Sequence, residues 1–227
     1  MAIAIVYIGE KRFQQVTSEN HKKMISELSK DFEIKVYDFL KDAPNPKCPY
    51  KLSGAVQLWD FLMANDAVPE EIVIKIRTDV WFTDTSINIL KSRIRKVINK
   101  ELDIAYLGLD LRNHYDKEIA TMTVDVGTKS KCTDFVIIIR KGQIRSSKDC
   151  IQLYTDNNQE KSGNKAFKAL ILPNTKYEST SCQMYLIRKE FQNPNNFDII
   201  NFWVQEYRKT VEAREWIAKN KEIVNAF

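Results

Sequence analysis

Short apolar runs rich in β-branched residues alternate along the chain with longer stretches in which apolar residues recur every three or four positions. The first kind predicts strands and the second predicts amphipathic helices. Residues 2–8 predict a strand, 18–30 a helix with Met24, Ile25 and Leu28 on its stripe and Ser18 or Thr17 as its cap, and 34–39 a second strand. A proline-broken loop over 42–49 leads into a helix over 53–65, whose Val56, Leu58, Trp59 and Leu62 are available to the core. Residues 72–82 predict the next strand; Ile87, Leu90, Ile94, Val97 and Ile98 then mark one helical face, and 103–109 form a further strand. After a stretch of little periodicity at 111–131, the pattern predicts a strand over 135–139, a helix over 146–157 and a mobile loop over 155–165. A helix over 178–190, a strand over 199–204 and a helix over 206–224 complete the prediction. The opening β-α-β-α-β order argues for a single α/β domain with a mostly parallel central sheet, right-handed crossovers and flanking helices.

The most informative stretch runs Ile72-Val73-Ile74-Lys75-Ile76-Arg77-Thr78-Asp79-Val80-Trp81-Phe82. It reads as a buried parallel strand that ends in charge. In open α/β sheets ligands gather outside the carboxyl ends of strands, which is where Arg77 and Asp79 fall. One reading is a metal-diphosphate site, with Asp79 on a divalent cation and Arg77 on phosphate. The other is a structural ion pair at a strand end. Thr83 and Asp84 offer a cap to the following helix.

Composition narrows the class. With 227 residues, 44% hydrophobic and 29% charged, the chain is an ordinary globular protein able to bury a sizeable core. The apolar start, residues 1–8, is too short for a signal-peptide core and lacks a basic lead-in, so a strand is expected there. No apolar stretch approaches the roughly 20 residues that span a bilayer. Cys48, Cys132, Cys150 and Cys182 are scattered, which predicts free thiols in a reducing cytoplasm. His21 and His114 cannot build a zinc site with cysteines so placed. Only six glycines occur, without a dinucleotide-binding or P-loop pattern, and no nucleophile elbow is present.

A net charge of +5 favours anionic partners. Basic clusters recur at Lys22-Lys23, at Lys91 with Arg93, Arg95 and Lys96, at Lys129 with Lys131, at Arg140-Lys141 with Arg145, and at Arg188-Lys189. Tyr115, Tyr154, Tyr177 and Trp81 lie among them. Such clusters form either a DNA groove with a pocket for a flipped base or a solvated face balanced by acidic neighbours.

An apolar strand leading into Arg77-Thr78-Asp79-Val80-Trp81-Phe82 resembles the nucleotide-sugar site of GT-A-type glycosyltransferases, in particular those of lipopolysaccharide and capsule synthesis. Gly9-Glu10-Lys11-Arg12 after the first strand is similar to a Gly-x-x-Arg found there in that group. Glu178 ahead of Met184-Tyr185-Leu186-Ile187 is similar to its late Glu-led helix. The resemblance implies one GT-A-like domain over 1–227, with a nucleotide-sugar half (1–110) and an acceptor half (111–227). It implies a nucleotide-diphosphate sugar donor, a UDP-sugar first among them, held through Gly9, Arg12, Arg77 and Asp79. Asp79 would also carry Mn²⁺ or Mg²⁺, a Lewis acid for the departing diphosphate. The first Asp of the commoner Asp-x-Asp is absent, so ribose binding stays unassigned, and Arg12 could equally be a surface arginine. An inverting transfer needs a base, for which Asp134 and Glu178 are the candidates and Asp110 a third; each could instead cap its element.

The acceptor is expected to be a hydroxyl. The short, lysine- and asparagine-rich basic chain resembles the DNA-modifying glycosyltransferases of T-even-like bacteriophages, which place glucose or arabinose on hydroxymethylcytosine. A lipopolysaccharide or capsule glycan is the alternative acceptor, and a non-catalytic DNA-binding or inhibitor protein the alternative outside the class. Whether the chain dimerises is left open.

Overall fold

A computed structural model describes residues 1–10, 14–42, 48, 53–109, 135–156, 166–182 and 184–186. The elements run β1 (Ala2–Glu10), α1 (Gln14–Ser29), β2 (Glu33–Lys41), α2 (Ser53–Ala67), β3 (Ile72–Ile76), β4 (Val80–Phe82) and α3 (Asp84–Ile98). They continue with β5 (Ile104–Leu109), β6 (Val136–Arg140), α4 (Ser147–Asp156), a 3-10 turn (Lys168–Leu170), β7 (Tyr177–Cys182) and β8 (Met184–Leu186). The expected excursion at 111–131, the strand over 199–204 and the helix over 206–224 lie outside the described residues, as does 157–165 of the expected loop.

Six strands form the main sheet in the order β2-β1-β3-β6-β5-β7. β1 is parallel to β2 and β3, and β5 to β7, while β6 runs against both its neighbours. The sheet is therefore mixed and mostly parallel. One face, with Ile3, Ile5, Ile72, Ile74 and Ile138, packs on Met24 and Leu28 of α1 and on Ile87, Leu90, Ile94 and Val97 of α3. The other, with Ala4, Val6, Val73, Ile137 and Ile139, packs on Leu58, Phe61 and Leu62 of α2 and on Phe167 and Leu170. Burial on both faces is why β1, β3 and β6 read as unbroken apolar runs rather than alternating ones.

Two expectations are corrected. The helix over 178–190 is absent from the described part of that segment, which holds the strands β7 and β8. Ser179, Thr180 and Ser181 offer no helical stripe, and their short polar or β-branched side chains suit a pleated edge. The helix expected from residue 18 is already formed at Gln14, so Thr17 and Ser18 are internal to α1 and do not cap it. Thr83 does cap α3: its hydroxyl accepts from the Ser86 amide at 3.1 Å, and the Ser86 hydroxyl oxygen accepts from the Thr83 amide at 2.8 Å.

Cys48 and Cys150 are free thiols. Burial pushes the Cys150 thiol up to about 12, so it stays protonated and unreactive. Among the described residues no helix is long and apolar enough to cross a membrane.

The topology marks one place on the sheet. From β1 the chain moves outward to β2 and then returns to β3 on the other side of β1. The helices of these two crossovers, α1 and α2, pack on opposite faces. The carboxyl ends of β1 and β3 are therefore the switch point, beside which open α/β sheets form the crevice that takes their ligands.

Candidate functional site

Gly9 and Arg77 stand at the two sides of that switch point. Gly9, next to last in β1, has φ +94, a left-handed conformation that a side chain would strain. Across from it β3 ends at Ile76, and the Arg77 amide donates to the carbonyl of Phe135 at 3.1 Å. The chain then turns through Thr78 and Asp79 into β4. Arg77 folds back on that turn as a fork, with Nε donating to Asp79 Oδ1 at 2.8 Å and Nη2 to Oδ2 at 2.5 Å. Its guanidinium lies over the Phe135 ring, 5.2 Å from the centroid. The side chains are 19% and 8% exposed, so the pair is largely desolvated while part of the guanidinium stays open to solvent.

The turn is held from below by α1. Thr17 Oγ1 donates to the carbonyl of Thr78 at 2.5 Å, and His21 Nε2 meets the carbonyl of Val80 at 2.6 Å. Asn20 donates to the Phe82 carbonyl at 2.8 Å and accepts from the Phe82 amide at 2.7 Å. Positions 17, 20, 21, 24 and 28 lie on one helical face, so this polar set continues the apolar stripe of Met24 and Leu28. Residue type alone does not mark Asn20 or His21 for this role. The readable signal was polar residues at core spacing ahead of an apolar stripe.

His21 stacks on Tyr7 of β1 at 5.4 Å and meets Phe82 edge-on at 5.5 Å. A carbonyl partner requires the Nε2–H tautomer. Burial drives the pKa of His21 down to about 4, against weaker opposing pulls from the Val80 carbonyl and the Asp79 charge. The Tyr7 hydroxyl is buried without a hydrogen-bond partner among the described residues, and burial followed by the Asp38 charge raises its pKa.

The His21 shift has a measurable consequence. The unfolded chain takes up the proton near pH 6.5, whereas the folded one resists until about 4. The neutral ring's contribution is therefore complete above pH 6.5 and is lost as pH falls towards 4. Between pH 7 and 5 the wild-type chain should lose about 2 kcal/mol of stability relative to His21→Gln, read by urea unfolding at both values. Parallel loss in both proteins would show that His21 titrates as an ordinary histidine.

Of the other candidates, Arg12, Asp110 and Asp134 lie outside the described residues. Glu178 is not brought to the fork. It sits in β7 opposite Ala105, which is opposite Ile138 and so level with Ile74, below the strand end. Three strand spacings separate β7 from β3, about 14 Å. There Glu178 pairs with Arg93 at 2.5 Å and Lys96 at 3.0 Å and accepts from Thr180. Burial alone would raise its pKa, but the Lys96 hydrogen bond and the Arg93 charge hold it below the ordinary glutamate value.

The basic clusters are largely neutralised. Lys22 pairs with Glu19, Lys23 with Asp84, Lys91 and Arg95 with Asp31, and Arg93 and Lys96 with Glu178. Arg140, Lys141 and Arg145 donate to backbone carbonyls. Trp81 is buried rather than a surface platform. Lys129, Lys131, Arg188 and Lys189 lie outside the described residues, as does Tyr115.

Among the described residues no three His, Cys, Asp or Glu side chains are arranged to hold a metal by themselves. Asp79 accepts from Arg77 through both carboxylate oxygens, and each oxygen has a second lone pair. A hard cation that takes most of its ligands from a bound diphosphate and water suits that single carboxylate.

No protein-family model matches the chain, and no curated protein matches it. Solved structures do. A glycosyltransferase involved in glycosylating the major capsid of PBCV-1 superposes with a TM-score of 0.50 at 13% identity, covering 80% of this chain and 82% of its own. The galactosyltransferase LgtC, in complex with donor and acceptor sugar analogs, gives 0.47 at 10% identity over 78% and 73%. HddC from Yersinia pseudotuberculosis gives 0.39 at 13% identity over 87% and 96%. The likeness is one of fold: the chain has the α/β architecture of the capsid glycosyltransferase.

Proposed function

We propose that the protein transfers a sugar from a nucleotide-diphosphate donor, a UDP-sugar first among them, to a hydroxyl acceptor. The observation that carries this reading is the Arg77–Asp79 fork at the β1/β3 switch point of a sheet shared with a glycosyltransferase. A diphosphate in the crevice would meet the Arg77 guanidinium, whose planar donors match phosphate oxygens. Asp79 is the ligand we assign to Mn²⁺ or Mg²⁺, which when bound stabilises the negative charge of the departing diphosphate. Gly9 leaves the β1 side open to close approach by the donor, because a Cβ there would meet nothing within 4 Å. Arg12, three residues on in the chain, is assigned to the same phosphates.

For the proton of the acceptor hydroxyl we assign Asp134. It directly precedes Phe135, whose carbonyl accepts from the Arg77 amide, so the chain passes the fork there. Glu178 is committed to Arg93 and Lys96. Glu178→Ala should leave nucleotide-sugar binding unchanged while lowering folding stability by about 1 kcal/mol. A variant that folds as wild type and loses donor binding would return Glu178 to the site.

Internal pairing of the described basic residues favours a glycan hydroxyl over duplex DNA as acceptor. Hydroxymethylcytosine in phage DNA is the second reading, supported by the net charge of +5. Fluorescence anisotropy on a hydroxymethylated duplex separates them, since phosphate contacts make binding fall steeply with salt.

The decisive screen is thermal shift with nucleotide sugars and Mn²⁺. A donor at about 100 times its Kd adds about 2.7 kcal/mol to stability. One nucleotide class should raise the melting temperature, and Asp79→Ala should abolish the rise. No shift with any nucleotide sugar, with Mn²⁺ or Mg²⁺, would overturn the assignment.

A further inference from the structure

Apart from the Arg77–Asp79 fork, the backbone of the segment from Arg77 to Phe82 is weakly tied within itself. One backbone bond closes its turn, from the Val80 amide to the Arg77 carbonyl, and at 3.4 Å it is long. Beside the Arg77 amide bond to Phe135 and the pairing of β4 with β8, the segment is held from 59 to 62 residues earlier in the chain, where α1 places three polar side chains at i, i+3 and i+4. Thr17 fixes the carbonyl before Asp79 and His21 the carbonyl after it, so the residue carrying the carboxylate is pinned on both sides. Asn20 then closes both backbone groups of Phe82, the last residue of β4. All three are buried, and so are Thr78, Val80 and Phe82, so each lost bond would leave a carbonyl without water to replace it.

We infer that α1 is the positioning element of the Arg77–Asp79 pair: Thr17 and His21, clamping the carbonyls of Thr78 and Val80, set the carboxylate on the guanidinium before any ligand arrives. Fixing charged groups in advance removes the reorganisation that a bound anion would otherwise impose. The residues act through the backbone and need not touch a ligand. The inference stands on the geometry of the fork, and only its second readout rests on the donor-site reading above.

The experiment follows the Nε–Hε resonance of Arg77 in the ¹⁵N-labelled full chain, assigned by its disappearance in Arg77→Lys. A guanidinium held bidentately by a carboxylate gives a displaced, slowly exchanging Hε signal. Thr17→Val, which keeps shape and removes the hydroxyl, and His21→Phe, which keeps the ring and removes the donor, should both return that signal to the range of solvated arginines. Its exchange with water should accelerate about tenfold, the scale of one lost hydrogen bond. His21→Gln, which retains an N–H donor at similar reach, should restore the wild-type signal. An unchanged Hε signal in folded Thr17→Val overturns the inference, and that near-isosteric variant decides the matter if His21→Phe does not fold.

The second readout is calorimetric titration of the same variants with UDP in the presence of Mn²⁺. Affinity about tenfold weaker in Thr17→Val, restored by His21→Gln relative to His21→Phe, places the positioned pair in the donor site. An Hε signal returned to the solvated range in Thr17→Val and His21→Phe, together with no UDP binding by the wild type, leaves the positioning role standing and removes the donor reading instead.

Discussion

Asp79→Ala is expected to abolish nucleotide-sugar stabilisation and to lower sugar transfer or donor hydrolysis by at least about a thousandfold, or about 4 kcal/mol of transition-state stabilisation. Two losses combine in this substitution. The carboxylate assigned to the cation disappears, and the Arg77 guanidinium loses the partner that fixes both Nε and Nη2. Arg77 then reorients, so the positive group is no longer preset at the crevice. Asp79→Asn is the sharper variant, because it keeps the volume and removes the charge. Its activity should fall nearly as far, while its stability should fall by no more than about 2 kcal/mol, since the amide oxygen still accepts one of the two guanidinium bonds. Product release from candidate donors, measured by chromatography at matched protein concentration, checks both. Full activity in either variant would make the fork a structural ion pair.

The largest stability effect is expected far from that crevice, at Arg140 in β6. Its side chain is only 5% exposed, and Nη2 donates to the carbonyls of Val97 and Ile98, the last two residues of α3. Nη1 pairs with Glu71 at 2.8 Å. The closing carbonyls of a helix have no partner within it, and a cation there also complements the helix dipole. Arg140→Ala takes the side-chain donor from both carbonyls, leaves Val97 with only the Lys100 amide at 3.2 Å, unpairs Glu71 and opens a cavity, for an expected loss of about 4 kcal/mol. Arg140→Met fills most of the space and should lose about 2 kcal/mol. Urea unfolding at neutral pH measures both, with the midpoint shifting and the slope preserved. A loss under about 1 kcal/mol for Arg140→Ala would mean that water reaches the α3 terminus and takes over its carbonyls.

The two buried faces of the sheet are what made the first half of the chain legible. An apolar run such as residues 72–76 must be a central strand in an α/β protein, and Leu90, Ile94 and Val97 must be one side of a helix. From that order the switch point follows, and with it the position of Arg77 and Asp79. The reversed β6 was not legible, because Val136 to Arg140 reads the same in either direction and only long-range pairing orients it. The strands at Tyr177–Cys182 and Met184–Leu186 were missed for a related reason: an edge strand and a short ribbon carry little apolar pattern, and a helical reading of Met184-Tyr185-Leu186 was equally compatible with local preference. Glu178 looked functional because it leads an apolar segment; its partners Arg93 and Lys96 lie more than eighty residues away in sequence. Thr17, Asn20 and His21 were hidden by the same logic, since hydrogen bonds to distant carbonyls leave no mark in the spacing of a helix except polar residues where apolar ones belong.

Whether the crevice beside Arg77 receives a metal-bound nucleotide is tested most directly by paramagnetic broadening. Mn²⁺ added with UDP to the ¹⁵N-labelled chain quenches amide signals near wherever the ion sits. Expected first to vanish, at substoichiometric Mn²⁺, are the signals of Thr78 and Asp79, well ahead of those of Glu178, level with Ile74, and Ile104, level with Val73. Sharp Thr78 and Asp79 signals at saturating Mn²⁺ and UDP would contradict the assignment of the donor site.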